Sequence, residues 1–155
     1  MSITYLEAIR EAQARALADD PRVFIYGQDV GKFGGAFKAT KNLQQQFPGR
    51  VLDAPISEDA IVGLAVGAAI EGLRPIIEMQ FADFSTPGFN QIVNQAATLF
   101  WRTNVPCPVT VRLPCGVKCV ARSSKRRNHI GRRDSNRTSR RPGRFFANWC
   151  GQKAS

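Results

Sequence analysis

Four short, mostly apolar runs, Val23-Phe24-Ile25-Tyr26, Val51-Leu52-Asp53, Pro75-Ile76-Ile77-Glu78-Met79 and Val109-Thr110-Val111-Arg112-Leu113, recur along the chain with helix-like stretches between them. This alternation constrains the fold more than any other feature. Short continuous apolar runs suit strands buried on both faces, as the strands of parallel sheets are. Strands that alternate with helices predict an α/β domain with a doubly wound, mostly parallel sheet and helices on both faces.

The intervening stretches carry their own start and stop signals. Thr4-Tyr5-Leu6-Glu7 matches a capping box, and Leu6, Ile9, Ala12, Ala16 and Leu17 form an apolar stripe of helical period that ends at Asp19-Asp20-Pro21. A glycine-rich loop through Gly27, Gly31, Gly34 and Gly35 leads to a polar helix expected from Lys38 to Phe47 and closed by Pro48-Gly49. A further helix is expected from Ser57 to Glu71, closed by Gly72, and another opening with Pro87 at its first position and running through Trp101. The small residues Gly63, Ala65, Gly67, Ala68 and Ala69 predict close approach of another backbone to the helix that carries them. From Ala60 to Ile70 that helix has eleven apolar residues flanked by Asp59 and Glu71. That is short of the ~20 needed to cross a bilayer, so no membrane span is expected.

The run Asp53-Ala54-Pro55-Ile56-Ser57-Glu58 places an acid where a helix begins. A carboxylate there sits by the positive end of the helix macrodipole, where negative charge is stabilised, and can face a crevice at the sheet edge. Such geometry suits cofactor chemistry. The same residues also read as an ordinary first turn with Ser57 as N-cap.

The net charge of +10 over 155 residues is a misleading average. Residues 1 to 116 hold ten Lys and Arg against eleven Asp and Glu, whereas residues 117 to 155 hold twelve against Asp134 alone. The globular part is nearly neutral and gives no signal for nucleic acid or membrane surfaces. Cys107, Cys115, Cys119 and Cys150 form no CxxC pair, and with a single histidine, His129, they make a poor zinc constellation. No metal site is expected from them. Gly31-Lys32-Phe33-Gly34-Gly35 lacks the Walker pattern of lysine followed by Ser or Thr, so a phosphate cradle has no support. No signal-peptide pattern stands at the N-terminus, which makes a cytoplasmic location the expectation.

Taken in order, GQDVGKFGGAF from Gly27 to Phe37 and DAPISEDAIVGLAVGAAIEGLRPIIEMQFADF from Asp53 to Phe84 resemble one family, the β subunits of the E1 component of 2-oxoacid dehydrogenase complexes. These are thiamin-diphosphate-dependent decarboxylases of the pyruvate and branched-chain type. The resemblance runs colinearly from about Ile3 to Gly116, and so implies an N-terminal, transketolase-like pyrimidine-binding domain that is incomplete. One departure is Gln28, where many members carry Glu in a GED or GEE triplet; it reads as tolerated variation.

What the resemblance implies can be placed on this chain residue by residue. Glu58 matches the glutamate that hydrogen-bonds N1′ of the thiamin aminopyrimidine, favouring the imino tautomer whose 4′-nitrogen takes the proton from thiazolium C2. Phe84 matches an aromatic that packs against the pyrimidine, with Gln80 nearby; Phe84 also reads as ordinary core. The family implies that a partner α subunit holds magnesium and the diphosphate of the cofactor. It also implies a heterotetramer of two α and two β subunits, association with a lipoyl acyltransferase core, and a small 2-oxoacid substrate.

Beyond Gly116 the resemblance stops, and residues 117 to 155 are rich in arginine and serine without amphipathic period. Three readings stand for this part: a disordered native tail, a frameshift-derived end on a truncated subunit, or a nucleic-acid arm with arginines near Phe145, Phe146 and Trp149. The function expected is therefore that of an E1 β subunit, with an inactive truncated fragment or a basic-tailed nucleic-acid-binding protein as alternatives.

Overall fold

The computed structural model describes residues 3–115. The expectations for residues 117 to 155 lie outside them. Helix α1 (Tyr5–Asp19) opens on Thr4 with both halves of the capping box made. The Glu7 backbone N–H donates to Thr4 Oγ1 at 3.3 Å, and the Thr4 N–H donates to Glu7 Oε2 at 2.8 Å. Two donors that the first turn leaves without helical partners are thereby satisfied. At its other end Arg50 acts as a clamp, donating from Nη2 to the Leu17 carbonyl at 2.6 Å and from Nη1 to the Asp20 carbonyl at 3.1 Å.

Strands β1 (Val23–Gly27), β2 (Val51–Asp53), β3 (Arg74–Glu78) and β4 (Thr110–Arg112) form one sheet in the order β2-β1-β3-β4, with every pairing parallel. Each of the four apolar runs is a strand, as the alternation predicts. Side chains alternate across the sheet, and each face has its own core. On one face Val23, Ile25 and Val51 pack with Leu17 of α1, Val30, and Leu43 of the short helix α2 (Leu43–Gln46). On the other, Ile77 and Met79 pack with Ile61, Val62, Ala65 and Val66 of helix α3 (Glu58–Ile70). Ile92 and Ala96 cover that second cluster from the helical segment before α4 (Ala97–Thr103). A one-residue slip of β1 would exchange Ile25 and Tyr26 between the two faces, so burial sets the register. Among the described residues no helix is long and apolar enough to cross a membrane.

Three local expectations are corrected. The polar helix expected over Lys38 to Phe47 is reduced to α2. Lys38 and Asn42 have φ of 61° and 67°, and a right-handed helix cannot propagate through left-handed residues. Tertiary bonds hold that path: the fully buried Thr40 hydroxyl donates to the Val30 carbonyl at 2.7 Å.

Pro87 does not open a helix at its first position. A 3-10 turn (Ala82–Ser85) precedes it, and a π-helical stretch (Gln91–Ala96) and α4 follow. The chain turns through Thr86 to Gly88 before the helical residues begin at Phe89, and at Gly88 it runs close to α3, where a β-carbon would stand 2.9 Å from Val62 Cγ2 and 3.1 Å from the Glu58 carbonyl oxygen. The chain passes α3 there as a turn.

The close approach expected along Gly63 and Gly67 is not made there among the described residues. Among the described residues a β-carbon at Gly67 would meet nothing within 4 Å, and the nearest atoms to one at Gly63 belong to the Gln91 side chain, at 3.6 Å. The tight contact on α3 falls at Gly88 instead.

Candidate functional site at the strand switch point

From β1 the chain moves outward to β2, and from β2 it crosses back to place β3 on the opposite side of β1. The connections leaving β1 and β3 therefore diverge, and a doubly wound sheet opens a crevice at the carboxyl ends of such strands. The residues that leave those strands are Gln28-Asp29 after β1 and Met79-Gln80 after β3. Glu58 reaches the same region as the first residue of α3, directly after the β2 exit segment.

Two hydrogen bonds define the polar lining. Gln28 Nε2 donates to Glu58 Oε1 at 3.1 Å, and Gln80 Nε2 donates to Asp29 Oδ2 at 3.1 Å. The first joins the end of β1 to the start of α3; the second bridges the exits of the two central strands. Gln28 is only 6% exposed, whereas Glu58 is half-buried. Nearby on the β2 side, the Gly31 N–H donates to Asp53 Oδ1 at 2.7 Å, which ties the glycine-rich loop to the strand end.

Ser57 occupies the N-cap position of α3, but its side chain makes no capping bond. Its carbonyl accepts from the Ile61 N–H at 3.0 Å. The first-turn N–H groups are thus left without a side-chain cap, and the acid at the helix start interacts with the macrodipole.

Phe84 sits in the 3-10 turn after β3, within an exposed aromatic file. Its ring meets Phe81 edge-to-face with centroids 5.8 Å apart, and Phe81 meets Phe37 in the same way at 5.6 Å. The segment that carries Phe84 continues to Gly88, which packs on the Glu58 backbone.

Beneath the crevice lies Glu78, the last residue of β3 and 3% exposed. Burial pushes its carboxyl above the ordinary range, and the Arg112 guanidinium opposes that shift. Arg112 Nη1 stands 2.5 Å from Glu78 Oε1. Gly35, at φ of 79°, lies over the same oxygen, and a β-carbon there would be 2.9 Å from it.

The sequence-predicted residues thus meet partners that local pattern did not reveal: Gln28 for Glu58, and Asp29 for Gln80. The available signal was positional. Gly27 closes an apolar strand, and the next two side chains are polar and stand at the sheet's carboxyl edge. Chemically, the arrangement offers an oriented carboxylate acceptor at a crevice, with exposed aromatic faces on the segment that packs against its helix.

A doubly wound parallel domain with an acid at the strand switch point defines the class. The sequence matches the family described as transketolase, pyrimidine binding domain, over residues 1–125, and the chain belongs to that family. It is 49% identical over 117 residues to the 2-oxoisovalerate dehydrogenase subunit beta of Bacillus subtilis, covering 74% of this chain and 36% of the relative. It is 47% identical over 118 residues to the protein of the same name from Pseudomonas aeruginosa, covering 74% of this chain and 34% of the relative. With the pyruvate dehydrogenase E1 component subunit beta of Mycoplasma pneumoniae it shares 48% identity over 114 residues, covering 72% of this chain and 35% of the relative. The resemblance to E1 β subunits is therefore borne out. The chain spans about a third of the length of the curated relatives it matches.

Proposed function

We propose that this chain is the pyrimidine-binding part of an E1 β subunit, acting with an α subunit in the oxidative decarboxylation of pyruvate or a branched-chain 2-oxoacid. The observation that carries the reading is Glu58, held by Gln28 at the switch point of a fold whose family binds a pyrimidine. Glu58 is the acceptor for an aminopyrimidine N–H, Phe84 supplies an aromatic face, and Gln80 lines the exit of β3. The donor set fits a pyrimidine, since a carboxylate in the first turn of a helix and an exposed ring can hold its polar edge and its face.

Thiamin diphosphate, when bound, supplies the nucleophilic carbon and the electron sink for decarboxylation. Glu58 accepts and orients at the pyrimidine edge, a charge-assisted bond worth ~1.5–3 kcal/mol. The α subunit holds magnesium and the diphosphate, and acyl transfer proceeds to a lipoyl acyltransferase core. Residues 1 to 116 form the domain in this reading and residues 117 to 155 a separate basic tail, in a protein of the cytoplasm.

The test is reconstitution with an α subunit, magnesium and thiamin diphosphate, assayed against pyruvate and branched-chain 2-oxoacids. Wild-type chain should decarboxylate at least one of them, and Glu58→Gln should lower that rate by about 100-fold or more while leaving the melting temperature within a few degrees. Calorimetry on the chain alone should give no saturable heat with micromolar cofactor. Near-normal decarboxylation by Glu58→Gln would remove Glu58 from its role.

A further inference from the structure

We propose that Gln28 is the positioning residue of the site: its buried side-chain amide fixes the orientation of the Glu58 carboxylate. Three observations carry this. Gln28 Nε2 lies 3.1 Å from Glu58 Oε1, across 30 residues of sequence. Gln28 is 6% exposed and stands immediately after Gly27, the last residue of β1, so its backbone is anchored by a central strand. Glu58, in contrast, is half-buried on the first turn of α3, where Ser57 makes no side-chain cap to steady it.

The chemistry of the pair gives the amide one sense. An ionised carboxylate only accepts, so Gln28 must present its NH2 group and not its carbonyl. The bond engages Oε1 and leaves Oε2 to a ligand donor. A free Glu side chain would sample several rotamers, and ordering it only upon binding would weaken the site. Gln28 bears that ordering in advance. A carboxylate at position 28 would act differently. Two carboxylates in contact cannot both ionise freely, and the pair would take up a proton jointly. A neutral amide at this position cannot share a proton with Glu58.

The inference rests on the reading of Glu58 given above, but its test needs neither cofactor nor turnover. The full chain is labelled at glutamine side chains and read by nuclear magnetic resonance, with Gln28→Met and Gln28→Glu as variants. In the wild type one Gln28 amide proton should resonate downfield and exchange slowly, and Glu58→Gln should abolish that signature while other glutamine signals stay in place. Gln28→Met keeps the volume and removes the donor; it should broaden or multiply the Glu58 carboxyl carbon signal, reporting lost rotamer order, without loss of backbone dispersion. Gln28→Glu should add a carboxylic-acid stretch to the infrared spectrum at neutral pH, which the further change Glu58→Gln shifts or removes. In the reconstituted enzyme Gln28→Met should weaken cofactor binding about tenfold.

A Gln28 signal indifferent to Glu58→Gln, or a Glu58 signal indifferent to Gln28→Met, overturns the proposal whatever the enzyme does. If both respond while reconstituted Glu58→Gln decarboxylates normally, the positioning stands and the assigned function falls. Should Gln28→Glu fail to fold, the wild-type signal and Gln28→Met decide alone.

Discussion

Gly27 and Glu78 stand opposite one another in the register of the two central strands, and a β-carbon on Gly27 would lie 2.2 Å from the Glu78 carbonyl oxygen. That contact is backbone, not the far end of a flexible side chain, so neither partner can step aside cheaply. The two strands whose exits frame the site therefore close together because position 27 has no side chain.

Gly27→Ala should accordingly destabilise the domain by about 3 kcal/mol, through forced separation of β1 and β3. Urea unfolding checks this. The Gln28 amide signal should shift as well, since Gln28 follows the displaced residue. An unchanged midpoint would show that the strands absorb a methyl group without cost.

Glu78 sets a pH dependence whose sign follows from its burial. Its folded carboxyl is raised above its ordinary value of 4.5, chiefly by desolvation. The protonated form is favoured by folding, so its contribution is complete below 4.5 and is lost as pH rises through the folded value. Glu78→Gln resembles the protonated form at every pH. The variant should therefore match wild type most closely in acid and gain on it as pH rises toward neutrality, measured by urea unfolding across the range. A deficit that widens with pH would mean that attraction to Arg112 outweighs burial.

Asp20 behaves in the opposite sense. Side-chain and backbone hydrogen bonds from Arg22 hold its carboxyl down at about 2, against an ordinary 3.8, with Arg74 adding attraction at 3.5 Å. Its contribution is present above 3.8 and lost as pH falls toward 2. Asp20→Asn should melt below wild type at neutral pH, and the two melting temperatures should converge near pH 2. Asp20 is half-buried but its partners Arg22 and Arg74 are exposed, so the neutral-pH gap should be small and should shrink in high salt.

Thr4→Ala removes the capping box of α1 and should cost about 1 kcal/mol. The loss should appear in helix content at the N-terminus before global unfolding. Hydrogen exchange of the first-turn amides of α1 checks this directly.

What the sequence by itself determined is whatever a residue and its near neighbours settle between them. Thr4 and Glu7 sit three apart and cap α1 as written, the four apolar runs become strands, and Gly72 closes α3 at φ of 85°. Glu58 was legible as a candidate because a strand, a short exit and a helix start follow in order. Contacts between distant residues decided the rest. The stretch from Lys38 to Asn42 reads as helix locally, yet buried Thr40 is taken by the Val30 carbonyl and the residues at either end turn left-handed. Pro87 reads as a helix opening, but the chain turns through Gly88 against Val62 before the helix begins. The strand order β2-β1-β3-β4, which creates the switch point, and the meeting of Gln28 with Glu58 belong to tertiary structure alone. Local pattern reports which face a residue buries, whereas partners brought from 30 residues away are chosen only when two cores close on opposite sides of one sheet.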